Sequence, residues 1–154
     1  MSRFPLPDRP HVPGRTPRPD DDLCARLVAE TPAWDYGLDL IAHGFYWEAH
    51  EVLEPVWAAA APNSRERALV QGVIHLANGA LKLRMDRPKA AVRLAGLAAE
   101  CVARAFAGHT EPLLGLRRAA LDAAAAELAA GTCTLMHLAP ADTGNKMHQN
   151  RETS

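Results

Sequence analysis

His50, Glu51 and Glu54 stand close together in the run Phe45-Tyr46-Trp47-Glu48-Ala49-His50-Glu51-Val52-Leu53-Glu54-Pro55-Val56-Trp57. On a helix, residues four apart share a face, so the imidazole of His50 and the carboxylate of Glu54 can reach one point. Two such ligands with a carboxylate between them resemble the HExxH arrangement, in which i and i+4 hold zinc and the intervening glutamate is the general base. HExxE is a less specific pattern. It makes His50 and Glu54 candidate metal ligands and Glu51 the candidate catalytic base. A second polar line follows downstream. Gln71, His75, Asn78 and Lys82 fall at i, i+4, i+7 and i+11, within about 60° on one helix face. His75 is the candidate third ligand, leaving an open position for water. Gln71 and Asn78 are placed to bind or orient a cofactor or ligand. An N/O donor set of this kind suits a divalent ion such as Zn, Mn or Fe.

Two metal-free roles are open to the same residues. His50, Glu54, Gln71 and Asn78 would also serve as a buried, hydrogen-bonded network that sets the register of two helices, with no ion at all. This structural role is the preferred expectation. Gln71, Asn78 and Lys82 would alternatively hold a small polar ligand without metal. Six of the eight aromatic residues lie between Trp34 and Trp57. Placed by about 100° per residue, Tyr46, Leu53 and Trp57 flank His50 on one side, and Trp47 and Glu54 on the other. That puts His50 near the centre of the core-facing stripe and Glu48 nearly opposite, in solvent. Pro55 cannot donate to the carbonyl of Glu51 and should bend the helix there.

The elements that must position these groups are helical. Alanine is abundant, especially after Ala90, and β-branched residues are sparse, a balance that favours helix. Helices are expected over 23–30 behind Asp20, Asp21 and Asp22, over 32–43 with Thr31 as cap and Gly44 beyond its end, and over 46–60. Further helices are expected over 65–85 with Ser64 as cap, from Pro88 to near Gly108, and from Thr110 to Gly131. Gly72 and Gly79 beside the polar line leave a flat strip where another helix can come close. Lys89, Arg93, Gly96, Glu100 and Arg104 form an outer stripe, with Glu100 and Arg104 in the favourable i,i+4 order. Leu114, Leu121 and Leu128 form a narrow apolar stripe for the core or for a second copy in a homodimer. The expected fold is all-α: a single-domain antiparallel helical bundle of five to six helices over residues 21–138. A Pro-rich segment over 1–20, extended, disordered or lying as a strap, precedes it, and a polar tail over 139–154 follows.

Of 154 residues, 17 are basic and 18 acidic, for a net charge of -1. No overall field draws nucleic acid or an anionic membrane, so neither is an expected partner, whereas a small molecule is. The cysteines, Cys24, Cys101 and Cys133, are odd in number and widely spaced, with no CxxC motif. Prolines interrupt the N-terminus, and no apolar run approaches the roughly 20 residues of a membrane span. The expectation is a cytoplasmic protein.

The run from Gly44 to Trp57, followed by Gln71-Gly72-Val73-Ile74-His75-Leu76-Ala77, resembles the DUF309 family of small helical proteins over residues 34–97. The resemblance implies an all-helical fold. Members are sometimes labelled predicted metal-dependent hydrolases, with no assigned substrate. The family pattern carries over to His50, Glu51, Glu54, Trp57, Gln71 and Gly72. A glutamine is common in the family where His75 stands, and a histidine near Lys82, so a metal role for His75 rests on this sequence alone.

Overall fold

The computed structural model describes residues 6–17, 32–132 and 138. The helix expected over 23–30, its aspartate caps, Thr31 and the polar tail lie outside the described residues. Five helices account for the rest: α1 (Ala33–Ala42), α2 (Tyr46–Ala59), α3 (Arg65–Arg84), α4 (Pro88–Ala105) and α5 (Arg118–Ala129). The described residues contain no strand, only one isolated bridge between Leu113 and Leu116. The fold is an all-α bundle. No helix among the described residues is long and apolar enough to cross a membrane.

Local chemistry sets most boundaries. Gly44, at φ 83°, takes the left-handed position after α1. Its N–H donates to Ile41 O at 3.0 Å, and Phe45 N–H to Leu40 O at 2.8 Å, the paired bonds of a Schellman ending. The chain then turns directly into α2. Asp86 plays the same part after α3 at φ 57°, and Arg87 N–H returns to Lys82 O at 2.9 Å. Ser64 caps α3 by accepting the Arg67 N–H at 3.1 Å, and Pro88 opens α4, where a missing N–H is harmless. Pro55 lies inside α2.

The last helix starts later than the sequence suggests. Residues Leu114 and Gly115 both have positive φ, 50° and 81°. Leu113 and Leu116 exchange two backbone bonds of 2.9 Å across them, the pattern of a tight two-residue turn with both central residues left-handed. Thr110 and Pro112 therefore precede a turn, not a helix. Leu114 is exposed, while Leu121 and Leu128 enter the core. Val92 on α4 is also exposed.

Helix α3 is the central element. It packs against α2 on one side and α4 on the other, with α1 on α2 and α5 on α4. Arg65 at the start of α3 donates its Nε to the Ala105 carbonyl at the end of α4, at 2.7 Å, so these two helices are antiparallel. The expected close approach occurs at both α3 glycines. A Cβ on Gly72 would stand 3.2 Å from Cys101 Cβ, and one on Gly79 would stand 2.3 Å from Leu128 Cδ2. The core is a continuous cluster that includes Tyr36, Leu40, Leu53, Leu76, Phe106 and Leu121.

Residues 6–17 lie across α2 as a strap. Thr16 Oγ1 accepts the Val12 N–H at 2.8 Å and lies 2.9 Å from His11 Nδ1, which folds the segment on itself. The His11 ring meets Trp47 edge-on, with centroids 4.7 Å apart. Arg15 pairs with Asp86 beyond the end of α3.

Candidate functional site

The buried positions of α2 are Tyr46, Glu48, Ala49, Val52 and Leu53. Its core face is centred near Ala49 and Leu53, roughly 100° around the helix from His50. The aromatics pull the expected centre toward His50. In fact Trp47 and Trp57 are only half-buried, and the small Ala49 marks the closest packing. His50 consequently sits on the flank, with its side chain 28% exposed, and Glu54 is 61% exposed. The pair is a surface pair and not the inward, buried one expected from the sequence.

Glu48 departs in the opposite direction. It is 2% exposed, because the strap covers it. Its Oε2 accepts the His11 N–H at 2.8 Å, and its Oε1 is buried without a partner among the described residues. Burial pushes its carboxyl above the usual carboxylate range. Its own backbone N–H, the His11 N–H and the charges of His11 and Arg84 pull the other way without winning. A helical wheel cannot show a covering segment from elsewhere in the chain.

The flank of α2 brings three candidate residues together. His50 Nδ1 lies 3.6 Å from Glu51 Oε1, and His50 Nε2 lies 3.7 Å from Glu54 Oε2. One donor atom from each residue falls within 4.8 Å of the others. Ligands about 2.1 Å from one ion can stand at most about 4.2 Å apart, so small side-chain rotations would close the set. One imidazole and two carboxylates match the donor preference of Zn, Mn or Fe. Glu51 also lines an open cleft of about 550 Å³ between the strap and α2, together with His11, Thr16 and Trp47.

The candidates on α3 are placed differently. His75 is not part of the converging group. Its Nδ1 is buried without a hydrogen-bond partner among the described residues. Burial lowers its pKa first, and the positive charges of Arg93 and Arg104 on α4 lower it further. Asn78 and Lys82 are half-buried on the same helix. Gln71 lines a second cavity of about 390 Å³ at the junction of α2, α3 and α4, with Trp57, Ser64, Arg65, Arg67 and Arg104 in its wall. Motif spacing does not single out these arginines for chemistry. The available signal was Arg65 and Arg67 in the first turn of α3, where the helix dipole favours acidic residues instead.

An all-helical bundle with an imidazole–carboxylate group on one helix and polar cavities around it defines the class of protein. The family model described as Domain of unknown function (DUF309) matches residues 34–94, so this segment of the chain is similar to that family. The match takes in nearly all of α1, the whole of α2 and α3 and the start of α4; His50, Glu51, Glu54, Gln71 and His75 fall inside it, and Arg104 falls outside. No curated protein and no solved structure matches the chain.

Proposed function

We propose that His50 and Glu54 hold a divalent metal ion with Glu51 beside them as supporting residue and base, and that the protein is a metal-dependent hydrolase acting on a substrate admitted by the cleft beside α2. The observation that carries this is the convergence of one donor atom from each of the three residues within 4.8 Å. The two carboxylates lie at opposite nitrogens of the His50 ring. His50 Nε2 and Glu54 would hold the ion, while Glu51 at Nδ1 holds the ring in place, the usual carboxylate–histidine pairing of metal sites. Glu51 also lines the cleft, where its carboxylate would take a proton from water as general base. A bound ion would supply Lewis acidity and a more acidic water. His75 has no part in this proposal. The exposure of Glu54 counts against a buried network that sets helix register, because a solvated pair contributes little to specificity or stability.

Calorimetric titration with Mn or Zn tests the site. Binding should be weakened at least about tenfold, the effect of one lost ligand, in His50→Ala and in Glu54→Gln. Glu51→Gln should weaken binding by about tenfold, the usual effect of losing a residue that supports a ligand, and should lose metal-dependent hydrolysis even at saturating metal. Equal affinity in wild type and His50→Ala would refute the assignment.

A further inference from the structure

We infer a second site in the 390 Å³ cavity at the start of α3: a binding site for a small phosphate-bearing molecule, built from Arg65, Arg67 and Arg104 with Ser64, Gln71 and Trp57. This inference is independent of any metal.

Among the described residues, no carboxylate lines the cavity. None of its three arginines forms an ion pair with a carboxylate among the described residues. Three positive charges gathered without counter-charge repel one another, unless an anion joins them. The guanidinium groups are nevertheless held in place. Arg65 Nε is tied to the Ala105 carbonyl at 2.7 Å. Arg67 stacks over Trp57 at 4.2 Å from the ring centroid, and Arg104 donates to Cys101 Sγ at 3.3 Å. Each retains further N–H donors, since a guanidinium carries five. Such preorganisation lowers the ordering entropy that binding must overcome.

Part of the remaining wall adds further donors. Ser64 and Arg65 are the cap and first residue of α3, whose first N–H groups carry the positive end of the helix dipole. Trp57 lines the same cavity and supplies the ring over which Arg67 is held. The Gln71 amide adds a donor and an acceptor. An array of forked cationic donors beside helix N–H groups is complementary to a tetrahedral oxyanion with several acceptor oxygens. The volume admits a phosphate with a small organic body. With a net charge of -1 over the whole chain, attraction of such an anion would be local to this cavity.

The test is calorimetric titration of the full chain with pyrophosphate in the presence of EDTA, which removes the metal question. Saturable 1:1 binding is expected. It should weaken at least about tenfold, the loss expected for one charge-assisted hydrogen bond, in Arg104→Gln and in Arg67→Gln. Binding should be unchanged in Lys89→Gln/Arg93→Gln, which removes two charges from the outer stripe of α4, and in His50→Ala. Circular dichroism confirms that each variant is folded. Absence of saturable binding, or an equal loss in Lys89→Gln/Arg93→Gln, would overturn the inference. Loss of pyrophosphate binding in His50→Ala would contradict the separation of the two sites.

Discussion

Glu48 and His75 are both held in places that disfavour their charged forms, and they act on stability in opposite directions. The native state raises the pKa of Glu48, so it binds the proton more tightly than the unfolded chain does. Its contribution to stability is full below the ordinary value of about 4.3 and is lost as pH rises through the raised native value. Glu48→Gln keeps an acceptor for the His11 N–H and removes the charge. Thermal melts should show Glu48→Gln more stable than wild type at pH 7.5, with the difference shrinking toward pH 4; a difference independent of pH would contradict this. The native state lowers the pKa of His75, so the unfolded chain takes up the proton first. Its contribution is full above about 6.5 and is lost as pH falls through the lowered native value. His75→Gln should flatten the decline of stability between about pH 7 and pH 5 relative to wild type. The sequence pointed to His50, Glu51 and Glu54 because spacing on one helix is legible without tertiary structure. It misplaced Glu48 because burial there comes from His11, a residue 37 positions away.

At the level of elements, helix boundaries were legible wherever caps are local: Ser64, Gly44, Pro88 and Gly131 all stand at the ends they suggest. The segment before α5 was not, because Leu114 adopts a positive φ that a leucine does not advertise. The glycines separate two kinds of helix contact. A Cβ on Gly79 would collide with Leu128, whereas one on Gly96 would meet nothing within 4 Å. Gly79→Ala should therefore destabilise by about 1–3 kcal/mol through overpacking of α3 on α5. Gly96→Ala should stabilise by about 0.5–1 kcal/mol through helix propensity alone. Urea denaturation checks both. A gain of stability in Gly79→Ala would show that α5 does not press on α3 as described.

For the molecule as a whole, the bundle supplies a rigid wall on which α2 displays its outer flank. The strap then buries the opposite edge and leaves the cleft beside Glu51. Thr16 ties the strap to itself, and Thr16→Val should speed proteolysis within residues 6–17 while leaving the melting of the bundle nearly unchanged. The same protease pattern in both proteins would contradict the role given to Thr16. A segment rich in proline can be free or bound with equal ease on sequence grounds, and the contacts with Trp47, Glu48 and Asp86 distinguish the two. The central claim is that His50 Nε2 and Glu54 share a divalent ion. Its most direct measurement is the nitrogen NMR spectrum of histidine-labelled protein titrated with zinc. Shared coordination predicts that the Nε2 resonance of His50 moves on stoichiometric addition and returns with EDTA, and that Glu54→Gln abolishes the change. An unmoved His50 resonance, or zinc-dependent shifts confined to other histidines such as His43 or His75, would contradict it.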